Sequence, residues 1–314
     1  MRRSLKAGPE RKRLSKRWKK ITGASDTLDS IAQWVYTSLM YREFFGLKEK
    51  PFNVTSDPNF FFLSRVHKEA FAHLLYGIRE KKGFLEITGE IGAGKTTLCR
   101  ALLSQLDRNT KTAFIFNSNL PEIQLLQSIL EDFGIEVLRR NKVSMFKQLN
   151  NFLLSEMSRG NNVVLIIDEA QNIKSSVLEG IRTLSNLETD KEKLFQIILV
   201  GQPELADKLN SPALKQLRQR IAVRFHVTPL EKDEVEKYIL HRLTVAGSNG
   251  DIKFPPESIE KIHAFSGGIP RIINMVCDKS LLAAYVMETK DISLSIIDKS
   301  IYELEGAVPV HSYV

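Results

Sequence analysis

Gly89-Glu90-Ile91-Gly92-Ala93-Gly94-Lys95-Thr96 matches the pattern G-x-x-x-x-G-K-[ST] at every fixed position. Each part of that pattern has its own task on a nucleoside triphosphate. The glycines let the backbone curl closely, so that successive N–H groups face anionic oxygens. Lys95 suits the β- and γ-phosphates as a mobile point charge, and the Thr96 hydroxyl suits Mg²⁺. A helix that begins here turns its positive end toward the same phosphates. The flanks agree. Gly83-Phe84-Leu85-Glu86-Ile87-Thr88 reads as a strand entering the loop, and Thr97-Leu98-Cys99-Arg100-Ala101-Leu102-Leu103 as the helix leaving it. Strand, loop and helix is the order the chemistry needs.

Working outward, strands are expected at 84–88, 112–116, 163–167, 195–200 and 222–227. Helical periodicity separates them near 96–107, 121–133, 143–158, 174–187 and 212–220, after a first helix over 67–81. Continuous apolar strands alternating with helices indicate a parallel sheet covered on both faces. Ligands of such sheets bind at the carboxyl ends of the strands, where the glycine loop lies. Beyond Pro229 only helices are expected, over 231–246, 256–265, 270–288 and 294–304. The domains therefore read as an α/β nucleotide-binding unit over 40–228, which includes an N-terminal aromatic segment, and a small helical domain over 229–305. A tail over 306–314 follows.

Length and composition fit this division. The 314 residues are 43% hydrophobic and 26% charged, as in ordinary soluble proteins. No apolar run approaches the ~18 residues of a membrane span, so no span is expected and cytoplasmic residence is. Cys99 and Cys277 lie far apart in helical patterns and read as small core residues. The net charge of +8 is unevenly placed. Residues 1–20 hold ten Lys/Arg against one acid, Glu10, which gives +9 there and leaves −1 for the remainder. Residues 1–39 are thus read as a disordered basic extension, able to meet nucleic acid or an anionic membrane, or as untranslated sequence upstream of an initiator at Met40.

The second half of the chemistry lies at Val163-Val164-Leu165-Ile166-Ile167-Asp168-Glu169, an apolar strand that ends in two carboxylates. Asp168, expected at the strand's exposed end, would hold Mg²⁺ directly or through water. Glu169 is suited to polarise the water that attacks the γ-phosphate. Gln202 follows the strand Ile197–Gly201, where it would sense the γ-phosphate, hold the attacking water or make a turn hydrogen bond. Arg218, Arg220 and Arg224 fall within eight residues, far along the chain from the loop, and would serve the next subunit's nucleotide. Arg271 opens a helix after Gly267-Gly268-Ile269-Pro270 and would reach back to the γ-phosphate.

These motifs, taken in order, resemble the AAA+ ATPases, and within them the ExeA-type (general secretion pathway protein A) family. The resemblance spans roughly 40–305. It also rests on Met40-Tyr41…Phe44-Phe45-Gly46-Leu47…Pro51-Phe52, Ser56-Asp57-Pro58, Ser64…His67…Glu69-Ala70…Leu74-Leu75-Tyr76-Gly77-Ile78, Gly201-Gln202-Pro203-Glu204-Leu205 and Gln219-Arg220-Ile221. The fold it implies is the P-loop NTPase parallel sheet with helices on both faces, followed by an all-helical lid. The site it implies is a Walker A loop (Gly89, Glu90, Ile91, Gly92, Ala93, Gly94, Lys95, Thr96 and Thr97) that binds ATP, with Thr96 and Asp168 on Mg²⁺. Asp168 and Glu169 would form Walker B and Gln202 sensor 1. Arg220 would be the arginine finger, with Arg218 and Arg224 behind it, and Arg271 would be sensor 2. The aromatic segment at 60–62 would lie near the adenine.

The implied activity is ATP hydrolysis by a homo-oligomer, a ring or a filament, that drives a secretion or envelope polysaccharide-export machine. Secretion-type members resemble an ATPase joined to a membrane span and a peptidoglycan-binding domain. This chain runs only to Val314, just past the lid, and so reads as a stand-alone form. The alternative is a DNA-associated, ATP-dependent switch resembling transposition ATPases. The near-neutral body does not favour DNA, whose phosphates call for clustered Lys and Arg.

Overall fold

The computed structural model describes residues 41–116, 120–184 and 193–306. The basic extension, Met40 and the tail from 307 onward lie outside the described residues.

Five strands form one parallel sheet in the order β2-β3-β4-β1-β5. They are β1 (Phe84–Gly89), β2 (Thr110–Ile115), β3 (Asn162–Ile167), β4 (Gln196–Gly201) and β5 (Ile221–Val227). The three central strands are buried almost throughout, whereas β2 and β5, at the edges, alternate. That difference explains why β3 and β4 read as apolar runs over 163–167 and 197–200, while β1, equally buried, also carries Glu86 and Thr88. Successive side chains point to opposite faces, and two cores follow. Val163, Leu165 and Ile167 of β3 join Ile197 and Leu199 on one face. Val164, Ile166, Ile198 and Val200 join Leu85 and Ile87 on the other.

Helices cover both faces. The second core is closed by α1 (Arg65–Arg79) and α2 (Lys95–Gln105). The first is closed by α3 (Glu122–Asp132), α4 (Lys142–Ser158), α5 (Ser175–Leu184), α6 (Pro203–Asn210) and the single turn α7 (Lys215–Arg218). The first helix starts two residues before the expected His67, because the Ser64 hydroxyl caps it by accepting from the His67 N–H. The expected helix over 174–187 is described as far as Leu184. The expected helix over 212–220 is a 3₁₀ turn at Pro212–Leu214 followed by α7. Helix α6 was not expected: it has eight residues and buries only Leu205 and Leu209.

The helical region comprises α8 (Lys232–Val245), α9 (Pro256–Ser266), α10 (Pro270–Val286) and α11 (Leu294–Leu304). Its core contains an unexpected part. Tyr41, Phe45, Leu47, Phe52 and Phe60 pack with Val235, Ile239, Ile273 and Leu281 of the helical region, although the sequence groups them with the α/β unit. Hydrophobic pattern gives a segment's buried face but not the partner that buries it. Cys99 and Cys277 are buried free thiols in two separate cores.

Phe45 is fully buried and meets Tyr41 and Phe44 edge to face. Phe45→Ala is expected to destabilise the protein by about 3–5 kcal/mol. Urea unfolding followed by helical circular dichroism measures this; an unchanged midpoint would show that the segment is not part of the helical core.

Candidate nucleotide site

The loop between β1 and α2 turns on glycines that no other residue would replace easily. Gly92 has φ +83° and Gly94 φ +96°, both in the left-handed region. The Lys95 ammonium, only 6% exposed, donates to the carbonyls of Gly89 (2.7 Å) and Glu90 (2.9 Å). Burial pushes its pKa down from the usual lysine value, while the charges of Glu169, Asp168 and Glu90 oppose that shift.

Strand β3 brings the acids to the same place. The Thr96 hydroxyl donates to Asp168 Oδ2 at 2.6 Å. Asp168 is 3% exposed, so the strand end is not the exposed one the sequence suggested. Its backbone N–H donates to Ile115 of β2, which flanks it. Burial raises the Asp168 pKa above the usual carboxylate value, against the hydrogen bonds from Thr96 and the Glu169 N–H. Glu169 itself sits at φ +52°, ψ +35°, a left-handed conformation uncommon for a residue with a Cβ. Such backbone strain collects at functional sites. Here it ends β3 and turns the chain into the 3₁₀ turn Ala170–Asn172.

Because β4 lies between β1 and β3, Gln202 at its end reaches Glu169. Its Nε2 donates to Glu169 Oε2 at 3.1 Å. Gln171, which sequence reasoning missed, donates to the same oxygen at 2.6 Å and accepts from the Gln202 N–H at 3.1 Å. A Cβ on Gly201 would fall 2.7 Å from Gln171 Oε1, so that glycine makes room for the bridge. Nothing in the sequence separates Gln171 from an ordinary turn glutamine.

The helical region closes over the loop. The Arg271 N–H donates to the Gly92 carbonyl at 3.3 Å, and a Cβ on Gly92 would come 2.5 Å from that of Arg271. Phe61, Phe62, Tyr238, Asn274 and Arg271 line one cavity with Gly92, Lys95, Thr96, Thr97 and Glu169. Asn274 Oδ1 accepts from the Tyr238 hydroxyl at 2.8 Å.

The three arginines are placed elsewhere. Ile221, beside Arg220, pairs with Phe84 at the entry end of β1, a strand's length of roughly 20 Å from the loop. The Arg220 guanidinium donates to the Arg182 carbonyl. Arg224 is occupied within the sheet, 3.2 Å from Glu86 and 3.2 Å from Asn210. Arg218 is exposed at the end of α7.

ATP and magnesium fit what the chain offers. Two oxygen donors, Thr96 and Asp168, stand together beside a buried cation, and magnesium normally takes one or two protein oxygens plus phosphates and water. Among the described residues no cluster of three or more His, Cys, Asp or Glu could hold a metal by itself.

The chain resembles known proteins in sequence and fold. Residues 78–209 match the family model described as an AAA domain. The chain is 42% identical over 268 residues to general secretion pathway protein A of Aeromonas hydrophila, covering 85% of this chain and 49% of that protein. It thus spans about half the length of that relative. Solved structures share the fold. The ORC2 protein of Aeropyrum pernix, in its ADPNP-ADP complexes, superposes with a TM-score of 0.60 at 17% identity, covering 78% of this chain and 69% of that one. Cdc6p from Pyrobaculum aerophilum gives 0.59 at 18% identity, covering 81% and 75%.

Gly92→Ala should weaken nucleotide binding by about tenfold or more, because the new methyl both strains a left-handed turn and pushes the helical region off the loop. Titration with a fluorescent ATP analogue would show this; parental affinity would mean that the contact is dispensable. The parallel sheet, the glycine loop and the AAA-domain match agree: the protein has the AAA-type P-loop NTPase fold and is similar over most of its length to general secretion pathway protein A.

Proposed function

We propose that this protein binds ATP with Mg²⁺ between loop and lid and hydrolyses it, as a head-to-tail homo-oligomer that powers a secretion or envelope-export machine from the cytoplasm. The observation that carries the catalytic part is the meeting of Thr96, Asp168, Glu169 and Gln202 at the ends of three adjacent strands. The secretion role rests on the name of the 42% identical relative, of which the match covers 49%.

The roles follow from the contacts. The loop N–H groups and Lys95 bind the phosphates, Lys95 exchanging the carbonyls of Gly89 and Glu90 for phosphate oxygens. Thr96 and Asp168 hold the magnesium ion, which offsets the negative charge of the phosphates. Glu169 takes the proton of the attacking water, and the amides of Gln202 and Gln171 fix its carboxylate. Phe61 and Phe62 flank the base, and Arg271 ties the lid to the γ-phosphate. Phosphoryl transfer is governed by positioning and charge, so fixed carboxylates and amides are the relevant chemistry.

Lys95→Ala should abolish ATP binding. Glu169→Gln should bind ATP normally and release almost no phosphate. Filter binding and phosphate release measure the two, and turnover near the parent rate in Glu169→Gln would remove that residue from the mechanism.

Arg220 is proposed as the finger because, about 20 Å from its own loop, it is out of reach of its own nucleotide. It then acts on a neighbour's nucleotide, and a head-to-tail contact of that kind builds a ring or a filament. Arg220→Ala should keep ATP affinity and lose turnover by about 10³-fold or more. Mixing it with Lys95→Ala should restore part of the rate, since an intact loop then faces an intact finger. A dead mixture, with turnover per subunit independent of concentration, would contradict action in trans.

A further inference from the structure

The buried imidazole of His67 lies beneath the phosphate loop, and the sequence assigned it no role. It is 3% exposed, and its partner Ser64 is 2% exposed. His67 Nε2 is 2.9 Å from the Ala93 carbonyl oxygen. His67 Nδ1 is 2.7 Å from Ser64 Oγ, which also accepts from the His67 backbone N–H.

Chemistry fixes the protons in this chain of contacts. A carbonyl oxygen can only accept, so Nε2 must carry the hydrogen and donate it. A neutral imidazole then has a bare Nδ1, which accepts from the Ser64 hydroxyl. Burial, which pushes the imidazole pKa below its usual value, favours that neutral form. Each atom in the set has one consistent part, as buried polar networks require.

The consequence falls on the N–H of the same peptide unit, that of Gly94. In a planar trans peptide the C=O and the following N–H point in opposite directions, and no cis bond occurs among the described residues. Drawing the Ala93 carbonyl onto the imidazole therefore turns the Gly94 N–H the other way, into the loop where the phosphates bind. Two further observations support a fitted contact. A Cβ on Gly94 would come 3.0 Å from His67 Nε2. The Phe61 ring meets the imidazole edge to face at 5.3 Å, and Phe61 and His67 both line the nucleotide cavity.

We propose that His67 is a positioning residue for phosphate binding: its Nε2–H anchors the Ala93 carbonyl and thereby aims the Gly94 N–H at the nucleotide. The anchor also couples the aromatic segment to the loop. It rests on the nucleotide reading of the cavity, and the test separates the two. ATP and ADP are titrated into the full-length parent, Lys95→Ala, His67→Ala and His67→Gln, with thermal melting of each.

His67→Ala should bind both nucleotides about tenfold more weakly or worse, since a hydrogen bond to a charged group is misdirected. A glutamine side-chain amide can donate to the same carbonyl, so His67→Gln should keep most of the affinity. A ring-nitrogen NMR spectrum of the parent should show His67 as the Nε2–H tautomer. The proposal is overturned if folded His67→Ala binds within twofold of the parent, if His67→Gln is as weak as His67→Ala, or if the ring is the Nδ1–H tautomer. Should His67→Ala fail to fold, the glutamine variant and the tautomer decide. If the parent and Lys95→Ala titrate alike, the nucleotide reading itself has failed.

Discussion

A buried ammonium and a buried carboxylate set the terms for this site. Lys95 and Asp168 are each less than a tenth exposed, and both stand at the carboxyl ends of central strands. Removing either charge from water is costly, and an isolated buried charge would not survive. The structure answers with partners. Lys95 has two loop carbonyls, and Asp168 has the Thr96 hydroxyl and the Glu169 N–H. Burial moves their pKa values in opposite directions, lysine down and aspartate up, each toward its neutral form. Such a pair is costly to hold and well suited to a ligand that brings both phosphate and magnesium.

Topology makes that pairing possible. Inserting β4 between β1 and β3 leaves Gln202 next to Glu169, and the left-handed turn at Glu169 brings Gln171 to the same oxygen. The helical region enters the site through backbone as well as side chains. Its α10 begins on the Gly92 carbonyl, and a Cβ on Gly92 would fall 2.5 Å from that of Arg271. A contact of this closeness tolerates little sliding between the loop and the helical region.

Much of this was legible in the sequence, for a physical reason in each case. The loop shows because its chemistry restricts residue types at fixed spacing. Strands β3 and β4 show because burial on both faces leaves unbroken apolar runs, and β1, interrupted by Glu86 and Thr88, shows because it leads into the glycine loop. Helix α6 was hidden because two buried leucines in eight residues make little periodicity. The packing of Phe45 and Phe52 on the lid was hidden because pattern does not name a partner. Gln171 and His67 act through contacts made by folding, across turns or between segments 26 residues apart, and no local spacing announces them.

On the proposed function, one nucleotide binds loop and helical region as a single site. Hydrogen exchange read peptide by peptide, with and without Mg-ATP on the Glu169→Gln protein, tests it most directly. The account predicts that slowed exchange appears together in the loop at 89–97 and at the start of α10, 269–273, over the same range of ATP concentration. Protection confined to the loop, with 269–273 unchanged, would contradict it.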